Sequence, residues 1–490
     1  MTSQSLTRRN FIRSAAGLTA GAALAGCSPQ TLLQFEPELA HWPGQTAESS
    51  WRLLNRITFG PRPEERNRID SIGPAAFIEE QLAPDTLPAM ATRPRLALRR
   101  LESLHLDAPD LFDVEPEVAS TELQRAALLR AVYSPAQLVE VMVDFWSDHF
   151  SIAQTKGDCA WLKTIDDRDV IRPHALGNFH DLLHASAHSP AMLIYLDNQQ
   201  NHAGNPNENY ARELLELHFL GADNGYTQTD VQELARCLTG WTVKDHFYRG
   251  QFTFDPDQHD DGPKRVLGLD IPAGAKKRGG EQVIDMLAEH PATAHFIATK
   301  LVRRFVADDS PPQLVAQAAR TFIETQGDIK AILRTILLSP EMLNPEQEPT
   351  ARKLKRPFEY VASALRALNA TTDAGPALLA YLAEMGQPLF QWPTPDGFPD
   401  RAEAWLGTLL TRWRFALALA NDNLPGARLD LPVLAGATNA RTRQEQLNQF
   451  ATLLLGRPLP PAVTEQLLQS GHQDQTLLVA LLGSPAFQWK

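Results

Sequence analysis

Carboxylates, imidazoles and a guanidinium crowd into residues 145–265. The densest run is Asn205-Pro206-Asn207-Glu208-Asn209-Tyr210-Ala211-Arg212-Glu213-Leu214-Leu215-Glu216-Leu217-His218-Phe219-Leu220-Gly221. Asn207 can cap a helix, Glu208 then falls at the positive end of its dipole, and Gly221 can end it. Tyr210, Leu214 and Leu217 form an apolar stripe, while Glu208, Arg212 and Glu216 form a second, with Glu213 beside it. A carboxylate next to a guanidinium can move a proton or hold an anion. The same spacing can equally lace an exposed helix with ion pairs worth about 0.3–0.5 kcal/mol each. The flanking Asn and His residues are what a plainly solvated face would not need.

Three further segments carry ligand-type groups. His149 sits in Phe145-Trp146-Ser147-Asp148-His149-Phe150, an aromatic surround that suits a hydrogen-bonded core histidine as well as a ligand. His180, His184 and His188 lie one helical turn apart on one face. Adjacent pairs of them could chelate a transition metal, but the glutamate of the zincin motif is missing, so an exposed run of histidines is expected. The turn Asp255-Pro256-Asp257-Gln258-His259-Asp260-Asp261-Gly262-Pro263-Lys264 resembles a calcium loop only superficially, because Gly268 falls where a bidentate Glu is required. A solvated turn with Asp caps is expected there, with a divalent-ion or polar-ligand site as the alternative. Asp197 and Asn198 end a fourth polar segment, placed to meet the glutamate helix.

Composition excludes several classes. With 46 Lys+Arg against 58 Asp+Glu, the net charge of −12 argues against a nucleic-acid binder. Three cysteines make neither a disulfide framework nor a four-cysteine zinc site. No Gly-rich phosphate loop, Gly-x-Ser-x-Gly elbow or haem-attachment motif occurs. A two-carboxylate glycosidase stays open, since its acids need not be close along the chain.

The elements that must position these groups are helices. Apolar residues recur at spacings of three and four over 121–150, 210–220, 228–240, 281–305, 312–338, 351–368, 402–420 and 442–455. Ser134-Pro135, Ser189-Pro190, Gly221, Gly240 and Ser339-Pro340 supply the stops. The exception is 241–254, where Trp-Thr-Val and Phe-Thr-Phe flank Arg249-Gly250 and read as a small β-hairpin. The fold class expected is mainly α, one large multi-helix domain over 51–490 with sub-lobes 51–270 and 271–490. A weak internal repeat joins Pro311-Pro312 through Ser339-Pro340 to Pro460-Pro461 through Ser484-Pro485, either a duplicated helical pair or shared helix-end grammar. Cys159 and Cys237 could pair under oxidising conditions, though small buried apolar roles suit them better.

The first residues read as an address. Arg8 and Arg9 in Thr7-Arg8-Arg9-Asn10-Phe11-Ile12 have the form of a twin-arginine export signal, and residues 14–25 form a weak apolar core too short to span a bilayer. Leu24-Ala25-Gly26-Cys27 resembles a bacterial lipobox, making Cys27 the lipidated first residue after removal of 1–26, with 27–50 as tether. Two or three acyl chains hold such a protein firmly. Ser28 favours the outer membrane, facing the periplasm.

Leu53 to Gly60, Phe145-Trp146 with His149-Phe150, His188 to Leu193, Tyr195 to Asn198, and Asn207 to Gly221 follow one order. Tyr226-Thr227, Asp230-Val231, Ala235-Arg236, Thr239-Gly240-Trp241 and His259 to Lys264 continue it. The chain thereby resembles the bacterial exported proteins catalogued as domain of unknown function eighteen hundred. Ser189 after His188, where the family usually has Pro directly, and His218, where Phe is common, are departures, and the second makes His218 a poor candidate for an essential role. The resemblance implies a secreted helical domain, often encoded beside an exported protein of the sulfatase or phosphatase kind. It implies no reaction. It does suggest a polar centre of His149, Asp197, Asn198, Glu208, Arg212, Glu213, Arg236, His259, Asp261 and Lys264. Three roles follow as expectations. The first is a binding partner of the neighbouring hydrolase. The second is a metal-assisted hydrolase, with His149, Glu213, His259 and Asp261 holding a divalent metal, Glu208 as base and Arg212 on an anionic group; Glu213 and Lys264 are further catalytic candidates. The third is a purely structural polar network.

Overall fold

Proline and serine punctuation becomes helix ends. Pro63, Pro116, Pro190, Pro291, Pro312, Pro357 and Pro376 each open a helix, where a missing N–H leaves no bond unmade. The computed structural model of the protein describes residues 49–222, 225–344, 353–437, 440–469 and 473–490. Helices dominate them, and no described helix is long and apolar enough to cross a membrane. The export signal at Arg8 and Arg9, Cys27, Ser28 and nearly all of the tether lie outside the described residues.

The expected run 121–150 is two helices, Pro116–Tyr133 and Gln137–His149, broken at Ser134-Pro135. The run 281–305 is likewise two, Lys277–Ala288 and Pro291–Phe305, because Pro291 cannot donate the bond that would carry the first helix onward. The run 312–338 divides into Pro312–Glu324 and Ile329–Leu337. The motif helix departs most. It is α-helical only over Glu208–Glu213 and continues as a wider π-helical turn over Leu214–Phe219.

The hairpin at 241–254 is present, with Trp241–Val243 antiparallel to Phe252–Phe254. A second hairpin pairs Lys264–Val266 with Leu269–Ile271. Its two-residue loop, Leu267 at φ 49° and Gly268 at φ 85°, has the left-handed backbone that matches strand twist. A third pair joins Thr371–Thr372 to Ala427–Arg428.

One contiguous apolar core runs from Leu53 through Trp146 and Leu301 to Phe487, so it draws on both of the expected sub-lobes. Ser339 and Ser484, the matching ends of the weak repeat, each cap a short helix by accepting from the backbone N–H three residues on. Cys159 and Cys237 are free and buried.

Candidate functional site

The asparagines of the motif act as stitching. Asn207 caps its helix by accepting from the Asn209 N–H at 2.9 Å, and its own N–H donates to the Asn201 side chain. Asn209 donates to the Leu196 carbonyl, Asn201 to the Ala235 carbonyl, and Asn198 to the Trp241 carbonyl at 2.9 Å. Asp197, at φ 60°, holds the Lys156 ammonium at 2.8 and 2.9 Å. Four loops and helix ends are thereby locked together.

The charged members of the motif lie outside that lock. Glu208 and Arg212 pair at 2.9 Å, and Gln228 bridges them, accepting from Arg212 and donating to Glu208. Both charged side chains are about a third exposed. Glu213 is half-buried and, like Glu216, has no hydrogen-bond or ion-pair partner among the described residues. Burial pushes the Glu213 carboxyl above the usual range, the like charge of Glu216 adds to this, and Arg212 opposes it; Asp396 contributes from the loop that follows Trp392.

The remaining candidates occupy other places. Arg236 is held by Glu233 at 2.8 Å and Asp260 at 2.7 Å. Lys264 donates to the carbonyls of Gly262, at 3.0 Å, and Asp260. His259 is buried and donates from Nδ1 to the Thr239 carbonyl at 2.8 Å, and Asp261 accepts from the Lys276 backbone. The turn 255–264 is thus closed on its own backbone. His149 lies in its aromatic surround, with Nδ1 2.8 Å from Lys300 Nζ and Nε2 3.2 Å from the His218 carbonyl.

His149, Glu213, His259 and Asp261 therefore do not come together as a ligand set. Each imidazole already has its own protein partner, and no shared coordination sphere joins them among the described residues. The group that does converge is His180, His184 and Asp285, whose ligand atoms lie within 4.8 Å of one another. The run of histidines was expected to face water; instead it faces the helix Lys277–Ala288.

The sequence reading also missed a buried ionic network behind the motif. Arg356 pairs with Asp148 at 2.5 Å and with Asp144, and Arg304 joins Asp144 at 2.9 Å to Glu359 at 3.0 Å. Lys490 closes it on Glu359 at 2.5 Å. Burial alone would raise the Glu359 carboxyl, but Lys490, Arg304 and Arg356 outweigh it and hold it well below the usual range. Burial pushes Asp148 the other way, up to about 6, despite Arg356 and with Asp144 adding to it. Asp144, Ser147 and Asp148 line a cavity of about 40 Å³ with Phe390, Trp392 and Phe398. That is room for about one water, and the buried Ser147 hydroxyl facing this region has no partner among the described residues. The loop over the cavity is pinned by Gln154 N–H to the Phe390 carbonyl and by Tyr195 Oη to the Pro393 carbonyl. Gly397 passes so near the helix end that a Cβ there would stand 2.1 Å from the Asp148 carbonyl oxygen. The sequence signal for the network was Asp144 and Asp148, two carboxylates one turn apart on the helix Gln137–His149, with Glu140 one turn before them.

The family described as "Protein of unknown function (DUF1800)" matches residues 52–489, nearly the whole described chain. The chain belongs to this family. No curated protein and no solved structure matches it. The DUF1800 motif Asn207–Gly221 thus has two halves of different kind, asparagines that bind the fold together and carboxylates that face outward.

Proposed function

We propose that this chain is an exported, lipid-anchored binding protein that works with a neighbouring exported protein of the sulfatase or phosphatase kind. Support for export and anchoring comes from the sequence, in Arg8-Arg9 and in Leu24-Ala25-Gly26-Cys27. Support for recognition comes from Glu213. Its carboxylate stands unpartnered, with the like charges of Glu216 and Asp396 acting on it. Burial and the neighbouring like charges disfavour the charged form of Glu213, and a docking surface of opposite sign relieves this while steering the encounter. The expected partner surface is therefore basic.

The test is crosslinking of the full chain in its envelope, followed by capture. Wild type should recover one exported partner reproducibly, and Glu213→Lys with Glu216→Lys should reduce the yield at least about tenfold, the scale on which opposing charges discriminate partners. Absence of a reproducible partner, or equal capture by a variant with unchanged circular dichroism, overturns the reading.

A further inference from the structure

We propose that His180 Nε2, His184 Nε2 and Asp285 Oδ1 form a binding site for a divalent transition-metal ion of the zinc type, with its open positions toward the groove beside Glu289. The inference does not depend on the partner reading, whose groups lie elsewhere on the chain.

Geometry comes first. His180 and His184 are one turn apart on the helix Phe179–Ala187, with ring centroids 4.5 Å apart. Both Nε2 atoms converge on a single oxygen of Asp285, at 2.8 and 2.6 Å. Three donors from two helices thus point at one small volume. Around tetrahedral zinc, donors about 2.0–2.1 Å from the ion stand roughly 3.3 Å from one another. Asp285 needs to withdraw by well under an ångström, and its side chain, 49% exposed, is free to do so.

The surroundings hold the imidazoles in place. Asn178 caps the histidine helix by accepting from the His180 N–H, and it donates to the Gln326 carbonyl. Phe179 N–H donates to the Gly327 carbonyl at 2.9 Å, fastening this helix to the next hairpin of helices. His188, the third imidazole of the run, is not in the set. It stacks on Trp241 at 4.7 Å and donates from Nδ1 to the His184 carbonyl. It fixes the last turn of the helix that carries the ligands.

Donor chemistry selects the ion. Two imidazoles and one carboxylate suit zinc, copper or nickel, whereas calcium and magnesium take oxygen sets. Three protein ligands also leave a coordination position open, the pattern of sites that bind water or a small ligand. The adjoining groove, about 550 Å³ and lined by Asp181, Glu289, Phe322 and Gln326 beside His180, has space for one. An ordinary histidine–aspartate ion pair would use the same contacts but would retain no metal.

The test uses the full chain, stripped with a chelator and titrated with Zn²⁺ by calorimetry and with Co²⁺ by visible absorption. Wild type should bind one equivalent and give the intense visible bands of low-coordinate Co²⁺. His184→Ala and Asp285→Asn should each weaken binding at least about tenfold, the scale on which even outer-sphere partners act. His105→Gln, at an exposed histidine elsewhere, should bind as wild type does. Should His184→Ala fail to fold by circular dichroism, His180→Gln carries the same expectation. No Zn²⁺ uptake by wild type, or undiminished uptake by a folded His180→Gln and Asp285→Asn double variant, overturns the proposal.

Discussion

Lys300 Nζ lies 2.8 Å from His149 Nδ1, an ammonium pressed against an imidazole among Phe145, Trp146 and Phe150. Lys300 can only donate, so His149 Nδ1 accepts and its Nε2–H donates to the His218 carbonyl. Burial, then the Lys300 charge, holds His149 well below its ordinary value, and burial brings Lys300 down to about 8. The arrangement requires a neutral imidazole.

Lys300 makes stability depend on alkaline pH. Between about 8 and its ordinary value of 10.5 the unfolded chain holds a proton that the folded chain has lost, so stability rises with pH across that window. Lys300→Met should flatten part of the rise in urea midpoint between those pH values. Lys355, which burial lowers to about 7, retains the remainder. An unchanged slope would show that Lys300 is not desolvated.

His218 should be dispensable and slightly harmful. It is buried, its Nε2 has no hydrogen-bond partner among the described residues, and burial lowers it to about 3. A lone buried polar atom costs about 1–3 kcal/mol. His218→Phe should therefore stabilise the protein at pH 7 by about 1 kcal/mol, after allowance for the larger ring. The folded pKa lies below the unfolded one, so wild type loses stability as pH falls from 6.5 toward about 3, and the variant should lose less. Denaturant titrations at neutral and mildly acid pH read both effects.

Arg356 should prove far more sensitive than either carboxylate it serves. Removing it strands Asp144 and Asp148 in the interior, and Arg356→Met should cost about 3–5 kcal/mol. Asp148→Asn should cost much less. The raised carboxyl means that the folded chain takes up this proton near pH 6, before the unfolded chain does near 3.8, so wild type gains stability from Asp148 as pH falls across that window. That gain should be absent in Asp148→Asn. Equal losses from the two variants would contradict the network.

Glu208 and Arg212 test whether the motif is a structural brace. The pair is about a third exposed and bridged by Gln228, so Glu208→Gln or Arg212→Met should each change unfolding free energy by no more than about 0.5 kcal/mol. A loss of several kcal/mol in either variant would return the pair to a purely structural role.

Periodicity and punctuation carried most of the fold. Ser134-Pro135 ends a helix where it was expected to, and Trp241 to Phe254 pairs as a hairpin because alternation flanks a turn residue. The second hairpin escaped notice because three-residue strands such as Lys264–Val266 leave too little alternation to read. The site was less legible. His149 and His259 are the right residue types for a metal, but whether two imidazoles share a neighbour depends on helix packing, not on spacing. Asp285 shows the same point in reverse. Nothing local marks it, and only the approach of its helix to His180 and His184 gives it meaning. Spacing alone set the histidine pair; a contact across 101 residues supplied the third donor.

The broad turn at Leu214–Phe219 carries one residue more per revolution than the helix before it. Each α-helical residue swings the next side chain by about 100°, so the extra residue acts as a phase change. Before it Glu208 and Glu213 look outward; within it Leu215, His218 and Phe219 are turned into the core. Excising a single residue there would undo the phase change and rotate one face into the place of the other, with no alteration of composition or charge needed to scramble both.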